Sequence, residues 1–217
     1  MHIDIVSDFI CPWCYIGKRR LERALTRRPG LVVTRSWHAF QLHPDLPIEG
    51  VPRGLYLAAK FGSSHNARRT CAALSKAGRD EGIDFAFDRI GRAPNTLRAH
   101  RLIRFAAEEG AGDDVVEALF RGYFFEGLDI GDIEILATIA SRAGLHFAAV
   151  RNHLAGAAGT QEVLAEDRRA RRLGIHAVPC FVLERGYAIS GAQEPEMLLS
   201  LFDLASGIGN AVAGAET

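Results

Sequence analysis

The segment Cys11-Pro12-Trp13-Cys14 constrains this chain more than any other feature, because of what stands on either side of it. Before it, Met1-His2-Ile3-Asp4-Ile5-Val6-Ser7-Asp8 alternates apolar and polar residues, the period of a half-buried strand. After it, Ile16, Leu21, Ala24 and Leu25 recur near helical spacing until Pro29-Gly30 interrupts them. The two cysteines are therefore expected where a strand hands over to a helix, with Pro12 in the first turn, where its missing N–H has no helical partner to lose. A helix N-terminus offers unpaired backbone N–H groups and the positive end of the macrodipole, and both favour an anion. A thiolate at Cys11 is that anion, so its pKa is expected below the ~8.5 of a free thiol. Two intervening residues keep Cys14 within one turn, near enough to attack a mixed disulfide formed at Cys11. Cys11 is thus the expected nucleophile and Cys14 the resolving thiol.

Two other readings of this motif are half a zinc site and a pair of buried thiols. Zinc in a structural site takes four ligands, and the chain has no second CxxC; His38 and His43 flank the end of a strand and fit turn or surface positions. Four cysteines in 217 residues are too few for a disulfide scaffold, whereas a close pair in a reducing compartment points to redox chemistry. The redox reading is preferred and no metal is expected. Lys plus Arg (26) balance Asp plus Glu (26), which leaves no general attraction for nucleic acid or an anionic membrane. The N-terminus lacks the basic and long apolar regions of a signal peptide, and no stretch approaches the ~18 apolar residues of a membrane span. A cytoplasmic protein, monomeric or homodimeric, is expected.

Along the chain, Leu31 to Trp37 is expected to form a second strand, and from about Pro44 to Gly174 helix follows helix. Asn95-Thr96 is expected to cap a helix ended by Gly110, Asp113-Asp114 to open the next, Asp132 to cap a third closed by Gly144, and Thr160 to cap one reaching Leu173-Gly174. Strand character returns at Val178 to Leu183 and Tyr187 to Ser190, which flank Arg185-Gly186 as a hairpin would. Pro195 opens a last helix, and Gly207 to Thr217 is expected to be a frayed tail. The fold class is α/β, a thioredoxin-like fold with a large all-α insertion. Residues 1–44 and 175–217 form the thioredoxin-like part, and residues 45–174 the α-helical insertion.

Several pieces together resemble the DsbA-like thioredoxin superfamily, closest to its FrnE branch, with relatives among 2-hydroxychromene-2-carboxylate isomerases and kappa-class glutathione transferases. They are Ser7-Asp8-x-x-Cys11-Pro12-Trp13-Cys14-Tyr15-Ile16-Gly17-Lys18, Phe40-x-Leu42-x-Pro44, Asn95-Thr96-x-x-Ala99-His100, Gly174-Ile175-x-x-Val178-Pro179-x-Phe181 and Ala188-Ile189-Ser190-Gly191-Ala192-Gln193. The resemblance implies that Pro179 is a cis-proline facing the CxxC and that Val178 presents its backbone to an extended substrate, with Pro12 and Trp13 beside them. It implies a dithiol–disulfide oxidoreductase or isomerase acting on a disulfide-containing protein or a small-molecule thiol, with a link to polyketide or other secondary metabolism. Isomerase and transferase branches typically carry serine where Cys11 stands and use glutathione. Both cysteines present here favour disulfide exchange, with no tightly bound cofactor and glutathione as the small molecule the resemblance offers. The rivals are a glutathione-dependent isomerase or transferase of an aromatic molecule, and a redox-sensing or chaperone-like binding protein.

Other residues have plainer readings. Thr96 and His100 lie four apart on one expected helix and could face the active-site cleft, His100 as a proton carrier or a ligand for a glutathione carboxylate, with Asn95 also a candidate substrate contact, though a satisfied helix histidine fits as well. Cys71 lies on an apolar stripe with Ala67 and Leu74 and is expected to be a buried, inert thiol. Cys180 departs from the family pattern and is expected to be a packed, reduced thiol. Phe120, Tyr123, Phe124 and Phe125 fit a core, and Arg168, Arg169, Arg171 and Arg172 a solvated helix face.

Overall fold

The structure, a computed structural model, describes residues 1–207. Of the expected frayed tail, residues 208–217 lie outside the described residues. The chain opens with β1 (His2–Ser7), α1 (Pro12–Thr26) and β2 (Thr34–Ala39). A two-residue strand β3 (Val51–Pro52) leads into α2 (Arg53–Phe61) and α3 (Ser64–Asp80), and β4 (Arg92–Ala93) pairs back with β3. Then come α4 (Leu97–Glu108), α5 (Gly112–Phe124), α6 (Ile133–Arg142), α7 (Phe147–Ala155) and α8 (Thr160–Arg172). The chain returns to sheet with β5 (Cys180–Leu183) and β6 (Ala188–Ser190), and α9 (Pro195–Ala205) follows.

The four-stranded sheet has the order β2-β1-β5-β6, with β1 parallel to β2 and antiparallel to β5. The alternating first residues thus form an inner strand, β1, flanked by β2 and β5. Ile3 and Ile5 point to a core shared with Leu21 and Ala24 of α1 and Leu198 and Phe202 of α9. Val6 points the other way, into a larger core built with α1 and the helical insertion. Each such Leu, Ile or Phe contributes roughly 1.5–3 kcal/mol by leaving water.

The insertion sets where α1 sits. Tyr15 stacks on Phe120 of α5, ring centroids 4.9 Å apart, and donates to Glu117 at 2.9 Å. Lys18, 5% exposed, donates to Glu117 at 2.7 Å. The row of cations along α1 and just past its end is paired: Arg20 with Glu81 and Glu194, Arg27 with Glu196 and Arg28 with Asp203. These charges tie α1 to α3 and α9 as well as complementing its dipole.

Some boundaries differ from expectation for local reasons. The second strand starts at Thr34, where it comes into register with His2, because Leu31 is still turning off α1 through its N–H to the Arg28 carbonyl at 2.9 Å. Thr160 is the first helical residue of α8; the cap is Gly159, whose φ of 79° is the left-handed conformation that glycine adopts freely. Thr96 occupies the cap of α4 without a side-chain bond, and Asn95 Oδ1 takes the Leu97 N–H at 3.0 Å instead. Arg168, Arg169 and Arg172 are exposed, but Arg171 is anchored to Asp167 at 2.8 Å and lies 4.4 Å over the Phe40 ring.

Candidate active site

Strand β1 delivers the chain through Asp8-Phe9-Ile10 to the N-terminus of α1. Cys11 is the N-cap, in extended conformation (φ −91°, ψ 111°), and Pro12 is the first helical residue. Cys11 and Cys14 are free thiols, and the Cys14 N–H bonds the Cys11 carbonyl at 3.0 Å, so a single turn holds both. Cys11 is 5% exposed and Cys14 1%. Burial, and then the neighbouring Cys11 sulfur, push the Cys14 thiol well above the ordinary thiol range, while Ser7 and the Asp8 N–H act in the opposite direction.

The Val178–Pro179 bond is cis. Cys11 Sγ donates to the Val178 carbonyl at 3.6 Å, which brings that loop against the CxxC as the motif match implied. Behind it Gly17 leaves the room for Pro179: a Cβ there would lie 2.7 Å from Pro179 Cγ. Cys180 is 3% exposed, paired with Val6 on one side and Ser190 on the other, and burial raises its pKa against a hydrogen bond from Ser190. It is the packed thiol its sequence context suggested.

Cys11, Pro12, Trp13 and Val178 share the wall of a cleft of about 340 Å³. The opposite wall comes from the insertion: Arg53, Tyr56 and Lys60 on α2, Cys71 and Leu74 on α3, and Tyr123 and Phe124 on α5. Tyr123 and Phe124 thus serve the core and the cleft at once. Cys71 is half-buried and faces this cleft, contrary to the expected burial. Its apolar stripe does turn inward, with Ala67, Leu74 and Gly78 buried, but at Cys71 the face meets open space rather than packed side chains.

Asn95 and His100 are not in the cleft wall. Asn95 is a clamp: its amide donates to the Leu46 carbonyl at 2.8 Å and its oxygen accepts from Gln41 at 3.0 Å. His100 lies on the far side of the CxxC, its ring 5.0 Å from that of Phe9 and its Nε2 3.5 Å from Asp8 Oδ1. Asp8 is fully buried; its N–H donates to Cys14 Sγ at 3.5 Å and its Oδ2 accepts from the Leu42 N–H at 2.7 Å. Among the described residues Ser7 Oγ, Asp8 Oδ1 and His100 Nε2 are buried polar atoms without a hydrogen-bond partner in the protein. Sequence reasoning noted Ser7-Asp8 as the end of a strand and as part of a motif without assigning them a role, and it missed Arg53, Tyr56 and Lys60 altogether.

A second cavity, about 480 Å³, lies beside Trp37, Arg104 and Asp113, with none of the CxxC residues in its wall. There Asp113 takes Arg35 at 2.6 Å and the Trp37 indole N–H at 2.7 Å, and Arg104 pairs with Glu166 at 2.5 Å. Among the described residues no helix is long and apolar enough to cross a membrane.

Residues 2–203 match the family model of the DSBA-like thioredoxin domain. A crystal structure of a probable DsbA oxidoreductase from Streptomyces coelicolor is 36% identical, with a TM-score of 0.86 over 95% of this chain and 90% of that one. The cytosolic disulfide reductase DsbM from Pseudomonas aeruginosa, solved with GSH, is similar at 19% identity and a TM-score of 0.64, covering 98% of this chain and 100% of that one. A 2-hydroxychromene-2-carboxylate isomerase is similar at 17% identity and a TM-score of 0.68, with both chains covered in full (100% each). At these identities the last two show a shared fold.

Proposed function

This chain belongs to the DSBA-like thioredoxin domain family, whose oxidoreductase character it shares, and on that premise we propose that it is a cytosolic dithiol–disulfide oxidoreductase and isomerase working through Cys11 and Cys14. The observation that carries this reading is the asymmetry of the pair: Cys11 caps a helix N-terminus at the edge of an open cleft, while Cys14 is sealed behind it.

In the proposed reaction the Cys11 thiolate attacks one sulfur of a substrate disulfide, forming a mixed disulfide and releasing the other sulfur as a thiolate. Cys14 then loses its proton and attacks Cys11 Sγ. The second substrate thiol leaves, and the pair is left as a disulfide after giving up two electrons. Burial holds the Cys14 proton in place, so this second step needs an acceptor; Asp8 and His100, on the Cys14 side, are the proposed carriers. Pro12, Trp13, Val178 and Pro179 form the proposed substrate contacts at the mouth. Asn95 serves indirectly by holding the loop at Leu46.

No tightly held cofactor is invoked, and glutathione is the proposed exchangeable thiol. A FrnE-type isomerase role in polyketide or related secondary metabolism is the finer form of the proposal and requires the pair to rest as a dithiol. The test is a stopped-flow reaction of the pre-reduced protein with a model disulfide. Rapid oxidation in the native chain, abolished in Cys11→Ser, supports the reading; an equal rate in Cys11→Ser refutes it. A Cys11–Cys14 reduction potential above the glutathione poise would support isomerisation, and one well below it would make the protein a reductase.

A further inference from the structure

The cleft carries charge that nothing in the fold consumes. Arg53 stands at the first position of α2, with its guanidinium 5.6 Å over the Phe87 ring. Lys60, two turns further along α2, donates to Tyr56 Oη at 2.9 Å and lies 5.3 Å over that ring. Both belong to the cleft wall, whereas among the described residues neither forms an ion pair and no Asp or Glu lines the cleft. The remainder of the wall is mainly apolar, with Leu42, Leu57, Phe61 and Leu74 beside Cys11.

Two uncompensated cations in such a wall have an electrostatic consequence. Arg53 is half-buried and Lys60 exposed; the guanidinium, partly withdrawn from water, attracts an anion more strongly than a cation in bulk solvent, Lys60 adds a second positive charge of solvated strength, and charge-assisted hydrogen bonds are roughly twice as strong as neutral ones. Aromatic faces hold both cations without neutralising them. The volume, near the low end of ordinary ligand cavities of ~300–1,000 Å³, suits one arm of a small molecule. We propose that the preferred substrate is a small disulfide whose thiol halves combine a compact apolar body with a carboxylate, which Arg53 and Lys60 bind while Cys11 attacks the sulfur. This selectivity rests on the dithiol reading above and adds to it the two residues that choose the substrate. A basic peptide is disfavoured at the same place by like charge.

The reaction needs no further reductant, because the reduced Cys11–Cys14 pair supplies both electrons in a single turnover and ends as a disulfide. Three probes separate the determinants: 5,5′-dithiobis(2-nitrobenzoate), aryl and anionic; 4,4′-dithiodipyridine, aryl and neutral; and oxidised glutathione, anionic but polar. Each is mixed with stoichiometric pre-reduced protein, and rates are divided by those of dithiothreitol to remove intrinsic reactivity. The normalised rate is expected to be highest for the anionic aryl disulfide. The ratio of anionic to neutral aryl rates should fall about tenfold in Arg53→Gln or Lys60→Gln, further in the double variant, and recover in Arg53→Lys. Because unfolded chains expose thiols that react with both probes alike, ratios are compared only between samples whose circular dichroism matches the parent. A wild-type ratio near one, a ratio unmoved by the double variant, or oxidised glutathione outpacing the anionic aryl probe would overturn the proposal while leaving the dithiol chemistry standing. Rates in the native chain equal to those of Cys11→Ser would instead bring down the dithiol reading itself.

Discussion

The cleft over Cys11 and the cavity beside Trp37 each hold two long cationic side chains, in volumes of about 340 and 480 Å³, but they use them differently. Beside Trp37, Arg35 and Arg104 are matched by Asp113 and Glu166, and the pairs join β2 to α5 and α4 to α8. Over Cys11, Arg53 and Lys60 rest on aromatic rings with no carboxylate in the wall. In the larger cavity both arginines are thus answered, and what stays unpaired among the described residues is acidic, Glu108 and Asp114; in the smaller one the unpaired charges are both cations. Charge marks a site only where the fold has not already answered it.

The largest effect that would sharpen this contrast is chemical. Cys11→Ser should lower the single-turnover rate on the order of 10³-fold or more, followed by absorbance of the released thiol. A comparable loss from changing a residue of the Trp37 cavity would erase the distinction.

Packing gives the next test, with the same substitution in both regions. A Cβ on Gly17 would lie 2.7 Å from Pro179 Cγ and 3.3 Å from Phe181 Cζ, so Gly17→Ala should cost about 1–3 kcal/mol and displace the cleft floor. A Cβ on Gly112, in the Trp37 cavity, meets Ala107 at 3.6 Å, an ordinary contact. Gly112→Ala should therefore be neutral or stabilise the chain by a few tenths of a kcal/mol. Urea denaturation of both variants decides the matter.

Removing a charge should also act oppositely on stability. Asp113→Ala leaves the Trp37 N–H and Arg35 without their acceptor and should cost about 1–2 kcal/mol. Lys60→Ala breaks no ion pair and should stay within about 0.5 kcal/mol of the parent. Equal losses would mean that the cleft cations are structural after all.

The smallest effect is in pH dependence. Burial, and then the charge of Lys60, hold the His43 pKa below its ordinary 6.5, with Asp8 acting the other way; His43 Nε2 is 2.9 Å from Tyr56 Oη. A histidine with a lowered folded pKa binds its proton more readily in the unfolded chain. Its contribution to stability is therefore complete above 6.5 and is lost as pH falls through the folded value. On the Trp37 side, burial raises the Asp4 carboxyl, but His38 and His2 more than offset it, and the net pKa lies below 3.8. That contribution is complete above 3.8 and is lost as pH falls further. Melting temperatures between roughly pH 7 and 5 should depend less on pH in His43→Gln than in the parent.

What the sequence by itself determined is what neighbouring residues decide. Alternation over His2 to Ser7 is enough to make a half-buried strand, and Pro12 after Cys11 is enough to start a helix there, because both follow from local sterics and period. The hairpin at Arg185-Gly186, the Asp132 cap and the helix opened by Pro195 are legible for the same reason. The tertiary structure alone decided which groups meet across long separations. It turned α2 so that Arg53 and Lys60 line the same cleft as Cys11, opened the stripe carrying Cys71 onto that cleft, and put His100 of α4 beside Asp8 rather than in the cleft wall. No periodicity encodes those meetings, since each depends on how two or more elements pack after they form, and on space that the packing leaves unfilled.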